Sequence, residues 1–181
     1  MTVELPDDVA ARIALADDKT KGPAVLTVLA VDEDYEARRF AADHDNTSPE
    51  TLKLLSEDEH SWVRAGVAEN QNTPTAVLAD LSDDEDDEVR FNVAQNPHTS
   101  PEDLANLAED LDDETRAAVA GNPNTPVPTL ALLTEDENPS VTETAHETLT
   151  VEVLVEALKA DFPEASTAMP REWLLSLLKT D

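Results

Sequence analysis

The chain contains no cysteine, which excludes disulfides, thiolate zinc, cysteine-ligated iron-sulfur clusters and a Cys nucleophile. Its 181 residues include only 3 Gly and 3% aromatics, which argues against a Gly-rich phosphate loop and a close-packed aromatic pocket. Neither a Walker motif nor a dinucleotide fingerprint occurs. No apolar run approaches the ~18 residues of a membrane span, and the opening MTVELPDDVAARIAL puts acids where a signal peptide needs a basic region. Basic residues are scarce as well. Only 12 Lys and Arg stand against 41 Asp and Glu, for a net charge of -29, which opposes direct binding to nucleic acid or anionic lipid. These shortages predict a soluble, cytoplasmic protein with no cofactor.

What is present is a repeat. A spacing of 26 relates Leu26, Leu52, Leu78, Leu104 and Leu130, and likewise Leu29, Leu55, Leu81, Leu107 and Leu133. In the same register fall Asp32, Asp58, Asp84, Asp110 and Asp136, and Arg12, Arg38, Arg64, Arg90 and Arg116. Ala16, Ala42, Ala68, Ala94 and Ala120 follow four residues after the arginines. Periodic Leu, Val and Ala supply the buriable face that a disordered acidic chain lacks.

Each unit reads as two helical pieces bounded by capping chemistry. The first is short and begins at Ser48-Pro49, Thr73-Pro74, Ser100-Pro101 and Thr125-Pro126, where a hydroxyl N-cap precedes Pro at the first helical position. The second starts at Asp34, His60, Asp86, Asp112 and Asn138, with buried i, i+4 pairs such as Val63 with Val67 and Val89 with Val93. It stops at Asn70, Asn96 and Asn122, where Asn is expected in a left-handed C-terminal conformation. Neither piece can bury its apolar edge alone, so stacked units must share one core, as in an α-solenoid.

The stretch Trp62-Val63-Arg64-Ala65-Gly66-Val67-Ala68-Glu69-Asn70 with Asn72-Thr73-Pro74, and Arg116-Ala117-Ala118-Val119-Ala120-Gly121-Asn122 through Thr125-Pro126, resembles the leucine-rich repeat variant family. That resemblance covers roughly residues 6 to 148 and implies a superhelix of alternating α and 3₁₀ helices. HEAT-like repeats are the nearest alternative. Units here are longer than is usual in the family, and the missing Cys-rich segment removes the iron-sulfur cluster that one relative carries. The expected fold is an all-α solenoid of about five 26-residue units over residues 1–148. A two-helix cap over 149–181 is expected, around 150–160 and 170–179.

The five arginines, Arg12, Arg38, Arg64, Arg90 and Arg116, recur once per unit and form an expected ladder. Each either forks onto carboxylates such as Asp58 or Asp84, or offers donors to a partner. Residues that break the repeat are the partner-binding candidates. Trp62 stands where other units carry Glu36, Glu88, Glu114 and Ser140, so it is either an exposed anchor or extra core lying over a seam. Phe91 replaces Arg39, Ala65, Ala117 and Glu143, and is expected to adjoin Trp62 across two units, with Tyr35 and Phe40 in the preceding one. The run Asp83 to Glu88 lacks EF-hand spacing, and His44, His60, His98 and His146 show no i, i+4 pairing, so no metal is predicted. No Ser, His and acid constellation can be assembled from spacing, and no enzymatic activity is expected.

The function expected is therefore a non-catalytic scaffold for a protein partner, with a basic one suiting the charge. Self-association through the solenoid surface or the C-terminal helices is also open. The alternative is an acidic nucleic-acid mimic that occupies a basic nucleic-acid-binding protein.

Overall fold

The protein's structure, a computed structural model, describes residues 5–150. Eleven helices lie among them: α1 (Val9–Asp17), α2 (Pro23–Leu29), α3 (Tyr35–Ala42), α4 (Pro49–Leu55), α5 (Ser61–Glu69), α6 (Thr75–Leu81), α7 (Asp87–Gln95), α8 (Pro101–Leu107), α9 (Asp113–Gly121), α10 (Val127–Leu133) and α11 (Pro139–Thr148). No strand occurs among the described residues. The even-numbered helices have seven residues each, and the odd-numbered ones are longer. Each long helix packs on the next long helix, and each short helix packs on the long helices before and after it. This is an all-α helical repeat. The expected cap helices around 150–160 and 170–179 lie outside the described residues, apart from Thr150.

The core follows the repeat. Leu26, Leu52, Leu78, Leu104 and Leu130 are buried, as are Leu29, Leu55, Leu81, Leu107 and Leu133. From the long helices Val63, Val67, Val89, Val93, Thr115 and Val119 meet them. The short helices are α-helical rather than 3₁₀. Leu52 N–H donates to Ser48 O and Ser56 N–H to Leu52 O, both at 2.9 Å, and the ladder tightens only past the end, where Asp58 N–H donates to Leu55 O.

Helix starts follow capping chemistry with one correction. Asp34, Asp86, Asp112 and Asn138 accept from backbone N–H groups of the helices they open, and Ser48 and Ser100 do so for α4 and α8. Thr73 and Thr125 are not caps. They fall one residue earlier in the unit, beside Thr47 and Thr99, and Pro74 and Pro126 take the cap position in extended backbone without a side-chain bond. The threonines turn back instead: Thr73 Oγ1 donates to Val67 O and Thr125 Oγ1 to Val119 O, each at 2.6 Å, so each supplies a donor to a carbonyl near the end of the preceding long helix.

The asparagines require a second correction. No described residue has a positive φ, and Asn70, Asn96 and Asn122 are extended, with φ of -67°, -67° and -76°. Their value lies in the side chain. Asn96 Nδ2 donates to Ala68 O (2.7 Å) and Asn70 O (3.1 Å) in the preceding unit, while its Oδ1 accepts from His98 N–H (2.9 Å). Asn70 and Asn122 repeat the pattern. Each buried amide thus satisfies the loose carbonyls at the end of the helix one unit back, and Asn is favoured because it donates twice and accepts once in one plane. His44 fills the same place one unit earlier. Its Nδ1 accepts from Asn46 N–H, which leaves Nε2 as the donor to Asp18 O at 3.1 Å.

Candidate functional site

At the opposite end of the long helices runs the arginine ladder. Arg38 places Nε and Nη2 on the two oxygens of Asp58 (2.6 and 3.0 Å) and donates through Nη1 to Asp32 O (2.9 Å). Arg64 does the same between Asp84 and Asp58 O, Arg90 between Asp110 and Asp84 O, and Arg116 between Asp136 and Asp110 O. Arg12 starts the series with Nε 2.7 Å from Asp32 Oδ2 and a second ion pair to Glu33. Each middle aspartate therefore joins two arginines, one through its carboxylate and one through its carbonyl. Burial pushes the Asp84 carboxyl up, but the Arg64 fork and the Asp86 N–H outweigh it and hold it below the usual range. Asp58 and Asp110 behave alike, and for Asp136 the Arg116 fork is the leading cause. With its donors committed to the stack, the ladder holds units in register.

The first turns of the long helices present a different row. Glu36, Trp62, Glu88 and Glu114 occupy equivalent positions on α3, α5, α7 and α9, and all four are exposed. Trp62 keeps 47% of its surface in water. It is held by neighbours that also depart from the repeat. Tyr35, the first residue of α3, stacks on His60 with ring centroids 4.0 Å apart and planes 5° from parallel. Trp62 tilts against both, at 5.9 Å from Tyr35 and 5.4 Å from His60. His60 is the N-cap position of α5 and makes no capping bond, so stacking replaces the cap that Asp or Asn supplies elsewhere.

Trp62 borders a groove of about 280 Å³ between α3, α5 and α7, together with Arg39, Asp43, Gly66, Glu69, Glu88 and Asn92. Its floor depends on Gly66. A β-carbon there would overlap Asp43 Oδ1, so the missing side chain is what lets the carboxylate lie across α5. That oxygen is buried without a hydrogen-bond partner, and Oδ2 has only a long ion pair with Arg39 at 3.7 Å. Burial accordingly pushes the Asp43 carboxyl up to about 6, with Arg39 opposing the shift and Glu69 adding to it.

Phe91 does not adjoin this groove. It faces α9, lining a larger hollow of about 580 Å³ with Gln95, Glu114, Ala117, Ala118 and Gly121. Glu88 and Asn92 lie between the two: they line the Trp62 groove on one side and, with Phe91, a hollow of about 330 Å³ toward α9 on the other. Phe40 and Tyr35 are partly buried against the core. The structure thus brings together Trp62 and Tyr35, adds His60, and leaves Phe91 and Phe40 apart. His60 was legible only as the one long-helix N-cap that is neither Asp nor Asn, in the unit where Trp62 also breaks the pattern. Another departure, Leu111, stands where Glu33, Glu59, Glu85 and Glu137 recur and is 98% exposed.

Among the described residues no helix is long and apolar enough to cross a membrane. Residues 87–112 and 113–138 match the family model described as leucine rich repeat variant. A solved structure described as a leucine-rich repeat variant with a novel repetitive protein structural motif is similar over 83% of this chain, at 30% identity and a TM-score of 0.62; the chain spans 60% of that structure's length. A designed armadillo repeat protein aligns over 82% of this chain and 95% of its own, at 17% identity and a TM-score of 0.46. No curated protein matches.

Proposed function

We propose, from the match of residues 87–138 to the leucine rich repeat variant model and the likeness to a solved structure so described, that the chain is a member of that family and a non-catalytic scaffold that binds a protein partner across the row of long helices. The observation that carries this reading is Trp62, an aromatic residue half exposed in a row of glutamates and braced by Tyr35 and His60. A rigid aromatic anchor of this kind loses little conformational freedom on binding, and such residues dominate interface energetics. The arginine ladder and the asparagine bridges between units support it by absorbing the repeat's constant polar residues into stacking, which leaves the variable ones free for recognition.

The test is affinity capture from the native cell extract at two salt concentrations, with Trp62→Glu as the control. The scaffold reading expects a partner that survives the higher salt and is lost with Trp62→Glu. Binding that ignores Trp62→Glu and collapses as salt rises would instead support the acidic nucleic-acid mimic, because counter-charge attraction among exposed groups is screened within ~8–10 Å at ordinary ionic strength.

A further inference from the structure

Trp62 is flanked in its row by the exposed Glu36 of α3 and Glu88 of α7, and its groove also holds Glu69, Asp43 and Arg39. Three carboxylates against one guanidinium leave two net negative charges in that groove. An indole face beside carboxylates attracts a cation twice over, through the ring quadrupole and through the charges. The groove's own cation is partly engaged, since Arg39 pairs with Asp43. The Phe91 side differs: its larger hollow is lined by alanines, a glycine, two amides and a single glutamate, and the carboxylates of Asp87, Glu88, Asp112 and Glu114 in the smaller hollow beside it accompany a phenyl ring, whose face draws a cation less strongly than an indole.

We infer that the Trp62 groove receives an arginine side chain from a basic segment of the protein partner, its guanidinium stacked on the indole and bonded to Glu69 and Glu88. Guanidinium suits the place better than ammonium. It is planar, so it can stack on the indole while its edge donates to two carboxylates, and it is the more weakly hydrated cation. The inference rests on the scaffold reading and names the chemistry of its anchor point.

The probe is an octapeptide alternating arginine and glycine, compared with the same peptide carrying citrulline, which keeps the shape and removes the charge. Affinity is read by calorimetry on the full chain. A Trp173→Phe background, which leaves Trp62 as the single tryptophan, reports quenching of its emission. The arginine peptide should quench Trp62 and bind at least tenfold more tightly than the citrulline peptide. Glu69→Gln with Glu88→Gln should weaken binding roughly tenfold. Glu102→Gln with Glu109→Gln removes the same charge from α8 and the loop after it, and should leave affinity nearly unchanged. Trp62→Glu adds a carboxylate to the groove and should still weaken binding, which general attraction to an acidic surface would not produce.

Equal losses from the two glutamate pairs, tighter binding by Trp62→Glu, or equal affinity for a lysine peptide would each overturn the inference. A cellular partner that needs Trp62 while the arginine peptide fails would leave the scaffold reading standing and remove only the arginine. Loss of both results would remove both.

Discussion

The Asp43 carboxylate should be a liability at neutral pH, and replacing it with asparagine should stabilise the protein. In the folded chain its Oδ1 is buried over Gly66 without a partner, and burial raises the carboxyl from an ordinary 3.8 to about 6. Well below pH 3.8 both folded and unfolded chains carry the proton, so the residue is neutral in the balance. As pH rises from about 4 to 6 the unfolded chain ionises first, and stability falls; above 6 the full penalty persists. A shift of about two units corresponds to about 3 kcal/mol. The side chain keeps 28% of its surface in water, so solvent screening reduces the expected gain from Asp43→Asn to about 1–2 kcal/mol at pH 7.5. Urea unfolding of both proteins at pH 4.5, 6 and 7.5 measures it, and the difference between them isolates Asp43 from every group the two proteins share. The gain should shrink steadily toward pH 4.5. Gly66→Ala offers a second view: its β-carbon must expel the carboxylate toward solvent, so the pH dependence should disappear, with better helix propensity of about 1 kcal/mol offsetting part of any strain. An Asp43→Asn protein no more stable at pH 7.5, or a gain independent of pH, would refute this account.

Four further outcomes are expected. Leu78→Ala should cost about 2–5 kcal/mol in urea unfolding, since Leu78 is fully buried between units; a loss below about 1 kcal/mol would place the core elsewhere. Asn96→Ala should cost about 2–3 kcal/mol, because it removes the buried donors to Ala68 O and Asn70 O and the acceptor for His98 N–H. The lowered Asp58, Asp84, Asp110 and Asp136 carboxyls contribute stability that is present above their unfolded value near 3.8 and lost as pH falls through their folded values. Circular dichroism should therefore show an acid transition below about pH 4 that Asp84→Asn makes shallower. Finally, with a net charge of -29, the thermal midpoint should climb with sodium chloride as screening relieves carboxylate repulsion; a falling midpoint would mean that the Arg and Asp ladder dominates the electrostatics.

The sequence by itself determined what repeats. A leucine recurring every 26 residues can be satisfied by one environment repeated, so the buried faces, the alternation of short and long helices and their order were legible from spacing and caps. The long-helix starts at Asp34, Asp86, Asp112 and Asn138 were legible too, since a cap bonds to residues two or three further on. The tertiary structure decided whatever depends on partners a full unit away. Asn70, Asn96 and Asn122 look locally like left-handed helix ends, yet their amides are taken by carbonyls 26 to 28 residues earlier in the chain. Thr73 and Thr125 look like caps for the helix that follows, and instead serve the helix before. Trp62 could be singled out as a break in the pattern, with Tyr35 in the unit before it, but the stacking with His60 and the groove could not, because they draw on α3 and α7 as well as α5. That Glu88 and Asn92 border both the Trp62 groove and the hollow at Phe91, and so stand between the two rings, is a property of packed helices, and linear spacing carries no record of it.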